Sequence, residues 1–188
     1  SRSIVLYTAS YSVGVGLSFL LAGWTGATLG WRWAFVIAGT GPCVAFAAVW
    51  MLLAPCAPES RGTASVLSGF RAVLRNRAAI GYILAYGWHG YELAAHRAWI
   101  VAFLVFVAGG GSGLPPPLTP AVLAAISTFI AMPASVVGNE LAIRFGRRRT
   151  LAVLMLVSSL VGVTLGLAAT QPWWVIVPLV LIYSVTVA

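Results

Sequence analysis

The chain has 188 residues, of which 61% are hydrophobic and only 7% charged, with a net charge of +8 and a mean hydropathy of +0.98. A soluble domain carries about 25% charged residues and needs them to cover its surface, so a water-soluble globular class is excluded. The basic residues are all Arg and, Arg97 apart, lie between apolar runs, which is the distribution of membrane topology signals and not of a basic face that binds nucleic acid.

At about 20 residues per span, roughly six spans fit, and the expected class is an all-α, polytopic transmembrane helix bundle. The first span is expected over about Ile4 to Leu29. It carries small residues at every fourth position, Ser10, Gly14, Ser18, Ala22, Gly26 and Gly30, a spacing that lets helices approach closely in lipid. A turn is expected at Gly30-Trp31-Arg32-Trp33, where Trp24, Trp31 and Trp33 form an interfacial aromatic belt. The second span covers about Ala34 to Leu53, with Gly41-Pro42 predicting a kink. Cys43 and Cys56 sit within and at the end of this run and read as packing thiols.

Residues Ala54 to Arg77 form the longest polar connection, opened by Pro55, Pro58 and Gly62. Val66, Leu67, Phe70, Val73 and Leu74 then recur at helical spacing with Arg71 and Arg75 opposite, the pattern of an amphipathic helix on the membrane surface. This stretch is the expected junction between two bundles.

The third span, Ala79 to Ala108, is the most informative. It holds His89, Glu92, His96 and Arg97 inside a long apolar run. Ionisable groups in a bilayer cost several kcal/mol unless they are paired or face water, so each is a functional candidate. His89, Glu92 and His96 fall at i, i+3 and i+7 and share one helix face, and Tyr82 and Tyr86 extend it. Arg97 lies about 80° round from His89. A polar stripe of this kind faces protein or a water-filled cavity, not lipid. Glu92, His89, His96, Arg97 and Tyr86 are the candidates for substrate contact or proton coupling. Two other roles compete: Arg97 snorkelling to the interface beside Trp99, and Glu92 as a structural partner of a neighbouring His or Arg.

A loop is expected at Gly109 to Gly113 and Pro115-Pro116-Pro117. The fourth span follows over about Leu118 to Ala142, with Pro133 as a kink, and ends in Arg144-Phe145-Gly146-Arg147-Arg148-Arg149. The fifth covers about Leu151 to Ala169. A turn at Gln171-Pro172 leads to the sixth, about Trp173 to Ala188. With the N-terminus inside, Arg2, Arg61, Arg71, Arg75, Arg77, Arg144, Arg147, Arg148 and Arg149 are all cytoplasmic, and Arg32 alone is outside, as the positive-inside rule requires.

The stretch from Asn139 through Arg148 (Asn139-Glu140-Leu141-Ala142-Ile143-Arg144-Phe145-Gly146-Arg147-Arg148) resembles the G-x-L-A-D-R-x-G-R-[KR] loop of the major facilitator superfamily. Gly30-Trp31-Arg32-Trp33-Ala34-Phe35 resembles the outer turn that such transporters often have between helices five and six. Two spans, a long basic loop and four more spans then look like helices five to ten of a twelve-helix transporter. Residues 1–54 are the last two helices of the first bundle, 55–78 the cytoplasmic linker and 79–188 the first four helices of the second. The resemblance implies a secondary active transporter of a small solute by alternating access, with a proton as the candidate coupling ion. The first span lacks the Gly-Pro signature of family antiporters, which leans away from drug-proton antiport and toward symport, with symport, antiport and uniport all open. Asn139, Glu140, Arg144, Gly146, Arg147 and Arg148 are the corresponding cytoplasmic gating loop. Two positions depart from the family pattern: Asn139 stands where the motif has glycine, and Ile143 where it has the aspartate that helps latch the cytoplasmic side.

The chain opens without Met and stops inside an apolar run, so a fragment of a longer protein is expected, with the remaining transmembrane helices, the lipid bilayer and a small-molecule substrate as partners. The bacterial inner (cell) membrane is the expected location. No metal is expected, because His89, Glu92 and His96 come from one helix and three such ligands rarely converge. No cofactor and no nucleic-acid partner are expected, and haem ligation would need a His on a second helix. A membrane-embedded enzyme and a non-transporting scaffold are the rival classes. No catalytic set is visible, and the chain contains no Asp.

Overall fold

The computed structural model describes residues 2–54, 66–109 and 118–188. Among these residues seven helices follow in order: α1 (Arg2–Thr28), α2 (Trp31–Leu52), α3 (Val66–Arg75), α4 (Arg77–Gly109), α5 (Pro120–Phe145), α6 (Arg147–Leu167) and α7 (Trp173–Thr186). Among the described residues there is no strand. In lipid every backbone N–H and C=O must be satisfied within the protein, and an apolar run achieves this only as a helix. The six expected spans are α1, α2, α4, α5, α6 and α7, and the expected amphipathic helix is α3. Among the described residues, α2, α4, α5 and α6 are long and apolar enough to cross a membrane, while α7 is apolar but 14 residues long.

Several boundaries differ from the sequence reading. Trp31, Arg32 and Trp33 open α2 instead of forming a turn, and the reversal from α1 takes place at Gly30, whose φ is 89°. Arg144 belongs to α5, and Arg147 to Arg149 form the first turn of α6, so the α5–α6 reversal is Gly146 alone. Pro42 and Pro133 lie inside α2 and α5, and Pro178 inside α7. The expected loop features Pro55, Cys56, Pro58, Arg61, Gly62 and residues 110–117 lie outside the described residues.

The helices divide into two compact units, Ser1–Ala38 with Glu92–Ala188, and Gly39–Tyr91. In the second unit, Asn76 follows α3 directly and caps α4: its Oδ1 accepts from the backbone N–H of Ala78 and Ala79 at 3.1 and 3.2 Å. Phe70, Val73, Leu74, Arg71 and Arg75 on α3 are all exposed.

In the first unit α5 is the central helix, packed against α1, α6 and α7. On α1 a Cβ at Gly16 would lie 2.6 Å from Phe129, and one at Gly23 would lie 2.5 Å from the Cβ of Ala121. As the α1 position rises from 16 to 23 its α5 partner falls from 129 to 121, so the two helices run antiparallel. The packed stripe of α1 is Ser12, Gly16, Phe19 and Gly23, whereas Gly14, Ser18 and Ala22 of the expected ladder are exposed. The reason is the helical period. Steps of four advance about 40° each, so a ladder from position 10 to 30 winds about 200° round the helix. Steps of four, three and four keep the observed stripe within about 60°.

Ile100, Leu104 and Val107 of α4 join Leu123 and Ala124 of α5 and Ile176 and Val180 of α7 in one apolar core, with Phe19 of α1 against it. Ser127 and Thr128 are buried beside this core, and both hydroxyls donate to the Ala124 carbonyl at 2.8 Å. Each polar group is thus satisfied by its own helix.

Candidate functional site

The polar groups of α4 that enter the first unit are Glu92, His96 and Arg97. Glu92 and His96 are one turn apart and about 40° round the helix from each other. Both point to α7. The Tyr183 hydroxyl donates to Glu92 Oε1 at 3.1 Å, and the Ser158 hydroxyl of α6 donates to Glu92 Oε2 at 3.3 Å. One carboxylate therefore ties α4 to both α6 and α7. A carboxylate accepts on both oxygens, so two hydroxyl donors from two neighbouring helices fit it.

His96 is half-buried one turn further along. Its ring meets Tyr183 edge-on, with centroids 5.0 Å apart and planes at 80°. Its Nε2 lies 3.4 Å from the Ser184 hydroxyl. Ser184 has one proton, and it goes to the Val180 carbonyl at 2.8 Å. The Ser184 oxygen is then an acceptor, which assigns the His96 proton to Nε2. Ser158 and Ser184 are both 2% exposed.

Gly162 makes room for this arrangement. A Cβ there would stand 3.2 Å from the Tyr183 ring, so the phenol passes close over α6 to reach Glu92. Ser158 and Gly162 are i and i+4 on α6 and share the face turned to α7.

Arg97 leaves this cluster. It sits about 140° from Glu92 around α4, and its guanidinium lies 4.8 Å above the Tyr11 ring of α1. A cation–π contact of this kind contributes about 0.5–2 kcal/mol, the upper end when desolvated. Arg97 is half-buried, and its geometry is a contact to α1, not a free run to the interface beside Trp99.

Tyr86 and His89 belong to the other compact unit, whose last residue is Tyr91; Tyr86 is exposed and His89 half-buried. The structure thus brings Glu92 and His96 together with Ser158, Tyr183 and Ser184, and turns Arg97 to Tyr11. Of these, Ser158, Tyr183, Ser184 and Tyr11 are not legible from the sequence. A Ser in an apolar helix usually bonds its own i−3 or i−4 carbonyl, as Ser159 does with Met155 at 2.8 Å, so a serine alone does not announce a tertiary role.

The proposed gating residues sit where α5 meets α6. Gly146 has φ 90° and ψ 134°, a conformation close to those reserved for glycine. Its N–H donates to the Ala142 carbonyl at 3.1 Å, its carbonyl accepts from the Thr150 N–H at 3.2 Å, and the Thr150 hydroxyl donates to Leu141 at 3.4 Å. Asn139 is half-buried, and Glu140, Arg144, Arg147 and Arg148 are exposed. The Arg144 guanidinium lies 5.6 Å above the Phe145 ring. Arg144 is in the last turn of α5, where the helix dipole favours a cation, whereas Arg147 to Arg149 occupy the first turn of α6, where it disfavours one. That cost is offset where an anion, such as a lipid phosphate, meets the arginines. Among the described residues no group of three or more His, Cys, Asp or Glu is arranged to hold a metal.

Long apolar helices, short reversals and a half-buried carboxylate clasped by hydroxyls define a polytopic helical protein of the membrane. The chain belongs to the Major Facilitator Superfamily, whose family model it matches over residues 1–188. It is accordingly a membrane transporter in the general sense of that family. No curated protein and no solved structure matches it.

Proposed function

We propose that the chain is the central part of a secondary active transporter that moves a small solute by alternating access, and that Glu92 couples solute movement to a proton in symport. The observation that carries this reading is the Glu92 clasp. A carboxylate shared between α6 and α7 changes its hydrogen bonds when it takes up a proton, and so changes how three helices are tied together. Coupling requires that link between charge state and helix contacts.

In this assignment α1 and α2 close the first bundle, residues 55–78 form the cytoplasmic linker, and α4 to α7 open the second bundle. The close α1–α5 packing and the Arg97–Tyr11 contact are then contacts between bundles. In this reading Arg97 is the group that meets an anionic part of the solute, since a guanidinium pairs with carboxylate or phosphate in bidentate geometry. His96 orients the Tyr183 ring. The α5–α6 reversal with Arg144, Arg147 and Arg148 is the cytoplasmic gate, and the distribution of arginines supports a cell membrane location with Gly146 on the cytoplasmic side.

The test is reconstitution of the intact protein into liposomes loaded with a pH-sensitive dye, followed by a panel of sugars, amino acids, organic acids and cationic drugs. A solute that acidifies the lumen of vesicles as it enters identifies a proton symporter. Entry of a solute without proton movement removes the coupling role, and no solute flux across a broad panel removes the transporter reading in its finer form.

A further inference from the structure

Resting on the reading of Glu92 as the proton-coupling group, we propose that Ser158 is a positioning residue that holds the Glu92 side chain in both of its charge states by exchanging the donor and acceptor roles of one hydroxyl. The Ser158 oxygen carries one proton and faces two acceptors. Glu92 Oε2 lies at 3.3 Å and the Met155 carbonyl of its own helix at 3.1 Å. The hydroxyl donates to one at a time.

With Glu92 ionised, Oε2 receives the Ser158 proton and Oε1 the Tyr183 proton. When one proton arrives from water on Oε2, that oxygen becomes a donor and needs an acceptor. Ser158 supplies it by rotating its own O–H to Met155, which is already at hydrogen-bond distance. The Ser158 oxygen then accepts from Oε2–H, and no heavy atom has to move. Nothing else changes: one proton is gained by Glu92, the serine keeps its own, and Tyr183 continues to donate to Oε1.

Tyr183 is less suited to this exchange. Its described hydrogen bond is to Oε1, and its ring is held by packing on His96 and over Gly162, whereas Ser158 has a second acceptor already at hydrogen-bond distance. Ser158 is 2% exposed, so its hydroxyl turns between Glu92 and Met155 and not to bulk water. Among the described residues, the titratable and charged groups beside Glu92 are His96 one turn along α4 and Tyr183 from α7, with His89 three positions back on the same helix face. From α6 the described partner is the Ser158 hydroxyl, and Arg97 is turned to Tyr11 of α1.

The experiment is pH-step infrared difference spectroscopy on the intact protein in liposomes, with the proton as the only probe. The protonated carboxyl C=O band that Glu92→Gln removes is the band of Glu92. Ser158→Ala moves that band to higher frequency, because the acid group loses one hydrogen-bond partner, and Ser158→Thr returns it to the wild-type position. Ser158→Cys, of nearly the same volume, moves it in the same direction by less and covers the case of a poorly folded alanine variant. A Glu92 band that stays in place in both the Ala and Cys variants overturns the role of Ser158 and leaves Glu92 as a proton acceptor. Absence of any band that Glu92→Gln removes overturns the coupling reading itself.

Discussion

Tyr183 and Glu92 are 91 positions apart in the chain, yet the phenol donates to the carboxylate across 3.1 Å. This contact turns a charged residue on an apolar helix into a three-helix junction. Its energy follows from measured hydrogen bonds within membranes, which average about 0.6 kcal/mol and reach about 1.7. A double-mutant cycle of Glu92→Gln and Tyr183→Phe is expected to give a coupling energy of about 0.5–2 kcal/mol in reversible unfolding. Additive single effects would show that the two groups do not stabilise each other.

Glu92→Gln keeps the shape of the side chain and its capacity to accept from Tyr183, but removes the proton site. Proton-driven uptake of the transported solute is expected to fall to background. Solute exchange with equal pH on both sides is expected to persist, because it needs no net proton movement. Both are read from the same vesicles, and uptake that still follows the pH gradient in the Gln variant would reduce Glu92 to a structural tie.

The α1 stripe gives a test of packing. Gly23 faces a Cβ, that of Ala121, at 2.5 Å. That atom is fixed to the α5 backbone and cannot rotate away. Gly23→Ala is therefore expected to push the helices apart and to destabilise by about 1–3 kcal/mol, as overpacking does. Gly14 has open space around its Cβ position, so Gly14→Ala is expected to leave thermal stability in detergent unchanged. Equal effects of the two substitutions would refute the observed helix rotation.

Gly146 carries the whole reversal between α5 and α6 at φ 90°. Replacing it with Ala is expected to cost about 1–3 kcal/mol of backbone strain. The cost should appear as a lower melting temperature even in detergent, where no headgroup contact to Arg147 or Arg148 survives. A variant that melts with the wild type would mean that the reversal relaxes readily.

Topology is tested by single cysteines on a background with Cys43 and Cys56 replaced. A membrane-impermeant reagent applied from outside is expected to modify position 171 and to spare position 148. The reverse pattern would invert the orientation inferred from the arginines.

The class of this protein, the positions of its apolar helices and the amphipathic α3 follow from the sequence by itself. Hydropathy over about 20 residues suffices because a bilayer leaves an apolar segment no alternative to the helix. That Glu92 needs partners was legible for the same reason, since a charge inside such a segment is costly. Its partners were not. α6 and α7 are apolar nearly all the way round, so neither has a polar stripe to reveal how it is rotated about its axis, and Ser158, Tyr183 and Ser184 look like ordinary span residues. The same blindness to rotation put the packing of α1 on Gly14 and its ladder instead of on Gly16 and Gly23. Rotation is decided by which side chains interlock, Gly23 with Ala121, Gly16 with Phe129 and Gly162 with Tyr183, and that interlocking exists only between helices brought together in the folded protein.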